Sequence, residues 1–308
     1  MSRVPYLGFQ RDTVRFAQLT ATDGGAVTTF DGSITERTRR RSVPICLTRH
    51  TTALSQPFYR FAPVVSYMTR LRFALLNAAH DGANTRRNFR RELDADLVEF
   101  DATEQHLPDH SDFDGVVITG SRSSVYWDEE WIPPLVEYVA EAADDGLPIL
   151  GVCYGHQVLA EALGGRVAGM DDFEIGYNTV THHGDELFAD VDSEFTVFTT
   201  HGDAVVDLPP GAELLAENEH GVHAFRDGHC WGVQFHPEYD LDTAREVTDG
   251  KRERLGDARV DNVLAEISPE QFEAACEAKA IFDNFAAYAR DLKAERAGTD
   301  AGPAAADD

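Results

Sequence analysis

The sequence predicts an α/β fold: an open, mostly parallel sheet with helices on both faces, followed by a helical extension. Three observations carry that expectation. From residue 71 onward, short apolar runs alternate with segments of helical period. One of these runs, Ile149-Leu150-Gly151-Val152, passes directly into a cysteine flanked by glycines and then into a helix-forming stretch. Beyond residue 195 several strand-like segments follow one another closely, and after residue 240 the pattern turns helical.

Residues 71–77 read as a buried strand, and 85–93 as a helix with Arg86, Arg87, Arg90 and Arg91 on its polar side. Residues 97–100 form a short second strand and 115–119 (Gly-Val-Val-Ile-Thr) a third, which ends at Gly120. Residues 129–145 form an amphipathic helix, with Trp131, Leu135, Val139 and Ala142 at helical spacing. Residues 148–152 are the next strand, and the helix behind Cys153 runs through Leu163. Strands and helices alternating in this rhythm mean βαβ units, hence parallel strands covered on both faces. Residues 195–199, 204–206, 222–225 and 230–235 read as strands, and 240–257 and 269–295 as helices. The segment 297–308, mostly Gly, Ala, Pro and Asp, reads as a disordered tail. No internal repeat is apparent.

The formal charge of −27 argues against nucleic acid and anionic membranes as partners, because phosphate binding needs clustered Lys and Arg. No apolar run approaches a membrane span, and the N-terminus lacks an uninterrupted signal-peptide core. Cys46, Cys153, Cys230 and Cys276 are scattered and form no C-x-x-C pair, so no zinc knuckle or redox pair is expected. The chain reads as cytoplasmic. With Lys251, Lys279 and Lys293 its only lysines, it also has the acid-rich, lysine-poor composition of a halophile's protein.

The charge is not evenly spread. Residues 1–70 carry ten Arg against four acids, which leaves 17 bases and 50 acids for the rest. Three readings of this basic leader stand: an arm for nucleic acid or a partner, an inert disordered extension, or a segment outside the natural protein, whose translation would start at Met68. The last is preferred. The catalytic domain is expected over 71–296, with 240–296 as its helical extension.

Cys153 lies in Gly151-Val-Cys153-Tyr-Gly155-His-Gln157, the cysteine form of a nucleophile elbow. The turn is tight enough to require glycines on both flanks, and it exposes the thiol at the carboxyl end of the sheet. The following helix N-terminus stabilises the thiolate, the attacking species. Later comes Val233-Gln-Phe-His236-Pro-Glu238. Residues two apart on an extended segment point to one side, so Glu238 can orient His236 and stabilise its charged form.

Together these motifs resemble the class I (triad) glutamine amidotransferases, in that family's order of Cys, His and Glu. The segment Thr199-Thr-His201-Gly-Asp203 is similar to a loop of the GMP synthetase branch. The resemblance implies a flavodoxin-like fold and the catalytic residues Cys153, His236 and Glu238. It also implies that Gly120 and Tyr154 supply oxyanion N–H groups, that Gln157 contacts glutamine, and that Thr200, Gly202 and Asp203 close over the substrate. Gly120-Ser-Arg122-Ser-Ser departs from the glycine- and proline-rich oxyanion strand usual in the family. No metal or cofactor is implied. Because the chain shows no pyrophosphatase loop, Walker A motif or dinucleotide fingerprint, the implied partner is a separate ATP-using synthetase subunit, first of all a GMP synthetase. A γ-glutamyl hydrolase of the same fold and a non-catalytic regulatory subunit are the alternatives. The helical extension reads as a packing pair, with a docking surface or lid as the other possibility.

Overall fold

The computed structural model describes residues 70–80 and 82–300; the basic leader before residue 70 and the tail from residue 301 lie outside the described residues. The first half comprises β1 (Arg72–Asn77), α1 (Ala83–Glu92), β2 (Asp96–Asp101), β3 (Gly115–Ile118), α2 (Ile132–Asp144), β4 (Ile149–Val152) and α3 (Tyr154–Ala162). Strands β5 (Arg166–His182), β6 (Glu194–Asp207), β7 (Glu213–Asn218), β8 (Gly221–Asp227) and β9 (Cys230–Val233) follow. The chain then forms α4 (Leu241–Asp249), α5 (Arg252–Leu255), α6 (Asp257–Glu266), α7 (Pro269–Ala275) and α8 (Ala280–Asp300). Among the described residues no helix is long and apolar enough to cross a membrane.

All nine strands form one sheet in the order β2-β1-β3-β4-β9-β8-β7-β5-β6. From β2 to β9 the neighbours run parallel, as the alternation of strands and helices predicts. From β9 to β6 they run antiparallel, an extension of the sheet that the βαβ rhythm does not announce. Strands β5 and β7 have no counterpart among the strands expected from the sequence. Strand β5 carries Asp171, Asp172 and Glu174 and many half-exposed positions, so no apolar run marks it; its order comes from a long ladder with β6.

Of the parallel strands, β1, β3, β4 and β9 are buried on both faces, and the edge strand β2 is half-buried. Residues two apart share a face, so Phe73, Leu75 and Val117 pack with Phe89 of α1 and Phe282 and Phe285 of α8. Ala74, Leu76, Val116 and Ile118 point the other way, toward Leu135 and Val139 of α2 and Val158 and Leu159 of α3. The third layer of contact explains the extension: Ala244 of α4 and Ile267 pack on Phe198 of β6, with Tyr177, Tyr239 and Val263 around them.

The extension also departs from two expected boundaries. Residues 240–257 are not one helix. Asp240 caps α4 by accepting from the Thr243 N–H at 2.8 Å, the chain breaks at Gly250, and Gly256 at φ 80° separates α5 from α6. Helix α8 in turn runs past residue 297, where composition placed the start of the tail. The Arg296 guanidinium donates to the Gly146 carbonyl at 2.6 Å and ties down its last turns.

Helix α8 buries Phe282, Phe285, Ala286 and Ala289, spaced i, i+3, i+4 and i+7. The Phe285 ring lies 5.4 Å from that of Phe73 and 6.2 Å from that of Trp231, so it bridges helix and sheet. Phe285→Ala is therefore expected to destabilise the fold by about 3–5 kcal/mol. In urea titration the midpoint should fall with an unchanged slope.

Candidate active site

The site begins where β4 stops. Cys153 has φ 55° and ψ −102°, a left-handed backbone that β-carbon residues seldom adopt. Its N–H donates to the Val233 carbonyl at 2.8 Å, and α3 starts at the next residue. The flanking glycines have identifiable neighbours. A Cβ on Gly155 would lie 2.4 Å from the Ile118 carbonyl oxygen, and one on Gly151 would lie 2.3 Å from the Gly155 oxygen. Only bare backbone lets β3, β4 and α3 approach so closely. The elbow argument expects an exposed thiol, but Cys153 is only 4% accessible. Gly120 and His236 close over it. A Cβ on Gly120 would stand 3.0 Å from His236 Cε1 and 3.7 Å from Cys153 Cβ.

His236 and Glu238 lie just beyond β9. The His236 N–H donates to the Phe198 carbonyl at 2.8 Å, which ties this segment to β6. His236 Nδ1 and Glu238 Oε1 are 2.8 Å apart, and both side chains are buried. Burial opposes a charge on His236, but the Cys153 thiolate and the Glu238 carboxylate outweigh it and raise the imidazole to about 10. Tyr239 stacks on His236 with ring centroids 4.1 Å apart. From α1, the Arg91 guanidinium donates to the Glu238 carbonyl at 2.5 Å and to Asp240 at 2.9 Å. The predicted polar side of α1 thus fixes the segment that carries the acid. Gly120 is fixed in a similar way. The Thr119 hydroxyl donates to the Gly120 carbonyl at 3.1 Å and accepts from the Ala78 N–H at 3.0 Å.

The remaining expected residues divide. Residues 199–203 are not a loop but the middle of β6, paired with β5 through Ile175↔Thr200 and Glu174↔His201. Their ladder partners on β5 give no sequence signal, which is why the segment reads as loop. The Thr200 side chain is buried, lines the cleft and has no hydrogen-bond partner among the described residues. Gly202 faces Arg254 and Phe173. Asp203 is engaged with the segment after β3, accepting from the Ser124 hydroxyl at 2.5 Å and the Tyr126 hydroxyl at 2.8 Å. The Gln157 amide donates to the Asp203 carbonyl at 3.3 Å and to Gln234 Oε1 at 3.2 Å, so it braces the pocket wall. Tyr154 opens α3, and its ring packs 5.6 Å from that of Trp131.

Beside Cys153 a cleft of about 620 Å³ is lined by Gly120, Arg122, Thr200, His236, Tyr239 and Lys251, among others. Sequence reasoning does not single out Tyr239 or Lys251 for this site. Tyr239 directly follows Glu238 and was within reach of the motif; Lys251 arrives only through the turn after α4. A second buried cluster lies behind β6. Glu174 Oε2 is 2.6 Å from His201 Nε2 and 3.2 Å from His223 Nε2. These atoms are within reach of one another as metal ligands would be, but the 2.6 Å spacing is that of a direct hydrogen bond. His201 Nδ1 lies 2.9 Å from the Asp203 carbonyl oxygen, so the cluster stiffens the strand that presents Thr200.

Comparison with known proteins identifies the family. Residues 82–248 match the model of the family described as glutamine amidotransferase class-I. A protein named GMP synthase [glutamine-hydrolyzing] from Thermomicrobium roseum is 41% identical over 146 residues, covering 46% of this chain and 26% of that protein. One of the same name from Aliivibrio fischeri is 39% identical over 147 residues, covering 46% and 27%. The chain thus spans about a quarter of the length of these relatives. Among solved structures, a glutamine amidotransferase from Thermotoga maritima superposes with a TM-score of 0.60 at 22% identity, covering 70% of this chain and 98% of that one. Another from Methylobacillus flagellatus gives 0.55 at 23%, covering 73% and 94%; at such identities these likenesses speak to the fold alone. With its family match spanning more than half of the sequence and enclosing Cys153, His236 and Glu238, the chain belongs to the class-I glutamine amidotransferase family.

Proposed function

We propose that this chain hydrolyses the side-chain amide of glutamine, with Cys153 as nucleophile, His236 as proton carrier and Glu238 as the carboxylate that orients it. The observation that supports this most is a cysteine held in left-handed backbone beneath a buried imidazole that is itself paired to a carboxylate at 2.8 Å. The Cys153 thiolate attacks the amide carbon, forming a C–S bond while the carbonyl electrons move onto oxygen. The N–H groups around Gly120 and Tyr154 face that oxyanion. As the C–N bond breaks, the protonated His236 gives its proton to the departing nitrogen, and ammonia leaves a γ-glutamyl thioester. The neutral imidazole then takes a proton from water, which attacks the thioester, breaks the C–S bond and releases glutamate, restoring the thiolate and the protonated imidazole.

The names of the relatives support ammonia transfer to a nucleotide-forming synthetase. The proposed acceptor of that ammonia is an ATP-using synthetase subunit. Retention of Cys153, His236 and Glu238 disfavours a purely regulatory subunit. A γ-glutamyl hydrolase of the same fold is a second reading, and the 620 Å³ cleft supports it by leaving room for an acyl donor larger than glutamine. Steady-state ammonia release from glutamine, measured with and without candidate synthetases, separates the two.

Cys153→Ala is expected to lower glutamine hydrolysis about 10⁴-fold or more while leaving the circular dichroism spectrum intact. Acid-quenched wild type incubated with glutamine should gain the mass of one glutamyl group on the peptide containing Cys153. Equal turnover in wild type and mutant would discard the assignment.

The pH dependence follows from the raised imidazole. The protonated form that serves the leaving nitrogen is present below about 10 and is lost as pH rises through that value. Glu238→Gln removes one of the charges that raises it. Its alkaline limb in kcat should therefore move to lower pH, with kcat itself reduced about 10²-fold. An unmoved alkaline limb would show that Glu238 does not act through His236.

A further inference from the structure

The turn between α4 and α5 carries an arrangement that glutamine hydrolysis does not by itself account for. Lys251 and Arg254 both sit over the Phe173 ring of β5, with Lys251 Nζ 5.4 Å and Arg254 Cζ 4.6 Å from its centroid. Arg122, just beyond Gly120, lines the cleft on the side of β3, and Lys251 lines the same cleft. The full chain has twice as many acids as bases, and most of the described arginines and lysines lie against a carboxylate. Among the described residues, Arg122, Lys251 and Arg254 have none within ion-pair distance. The acids that line the cleft are already engaged: Glu238 with His236, and Glu246 with the Asn84 amide at 2.7 Å.

Arg122 and Lys251 line the cleft and Arg254 shares the Phe173 ring with Lys251; three like charges left unpaired so close together repel one another and favour an anion. Burial lowers the Lys251 ammonium, the Cys153 thiolate works against that, and Arg254 and Arg122 add to the lowering. The Thr200 hydroxyl, 8% accessible and without a partner, faces the same space. The backbone makes room for this grouping, since a Cβ on Gly202 would stand 2.5 Å from Arg254 Nη2.

We propose that Lys251, Arg254 and Arg122, with the Thr200 hydroxyl, form a carboxylate-binding subsite beside Cys153; its placement next to the reacting amide rests on the hydrolysis proposed above. The carboxylate comes from one of two sources, the α-carboxylate of the glutamyl group or a carboxylate on the amine half of a γ-glutamyl amide. In either case the three cations are specificity residues that hold the substrate and take no part in proton transfer.

The test compares the full-length wild type with the Lys251→Gln/Arg254→Gln double variant and with Lys251→Arg. Four substrates are used: L-glutamine and its α-amide, then γ-glutamylglycine and γ-glutamylmethylamide. The wild type should prefer the carboxylate-bearing member of one pair, and the double variant should lose that preference through a KM raised about tenfold or more, with a smaller change in kcat. Lys251→Arg should keep most of it. The pair affected identifies the source of the carboxylate. Wild-type KM and wild-type selectivity in the double variant would overturn the subsite.

Titration calorimetry with L-glutamate and with glycine reads the subsite without turnover, on the same two proteins. Binding of either ligand weakened about tenfold in the double variant supports it, whereas equal affinities for both, or no binding of either by the wild type, overturn it. If no substrate is turned over and no thioester forms, the hydrolysis reading fails, and these titrations still decide the subsite.

Discussion

A residue with a β-carbon at φ 55° and ψ −102° costs of order 1–3 kcal/mol, and such a conformation persists only where its surroundings leave no alternative. At Cys153 the surroundings do so from three directions. Strand β4 delivers the chain from below, the Val233 carbonyl holds the Cys153 N–H from β9, and Gly155 lets α3 start against Ile118 of β3. Relaxing the cysteine would mean separating α3 from the sheet, which would expose Val158 and Leu159. The packing of one helix thus maintains the strain that sets the position of the thiol.

The same economy governs the imidazole. His236 and Glu238 are buried together, where an uncompensated charge would be costly and a paired one is strongly held. Each atom that positions them belongs to a different element: Phe198 of β6, Gly120 after β3, and Arg91 of α1. Helix α1 has no chemistry of its own, yet its arginines reach Glu99 on one side and Asp240 on the other. Those contacts join the edge of the sheet to the start of α4. The position of the imidazole therefore depends on both the parallel and the antiparallel parts of the sheet.

Those parts of the molecule whose order is local were legible in the sequence. The runs at β1, β3 and β4 are apolar because both of their faces are covered, and the Gly-x-Cys-x-Gly turn announces its own geometry. The spacing of His236 and Glu238 is likewise enough to bring them to one side. What the sequence hid was long-range. Strand β5 is polar because half of it faces solvent, and residues 199–203 look like a loop until their β5 partners are known. The thiol's burial could not be anticipated either, since Gly120 and His236 come from distant segments. Lys251 lies 98 positions from Cys153, in a turn that composition alone reads as the middle of a helix.

That turn brings the charge balance of the chain to bear on its chemistry. An acid-rich surface repels an anionic substrate at long range, and the repulsion is only partly screened by salt. A glutamyl compound carries an α-ammonium as well as its carboxylate, so a field of acids attracts the wrong end of it unless cations receive the carboxylate. Most of the described bases are neutralised where they stand, on α1, at the edges of the sheet and along α8. Arg122 and Lys251, left unneutralised at the cleft with Arg254 close to Lys251, oppose that field locally. Because Lys251 follows α4, and α4 is capped by the same Asp240 that Arg91 holds, the cations are referenced to the segment that carries Glu238. The buried His236–Glu238 pair and the cations therefore share one structural anchor, and a shift of α4 would move both.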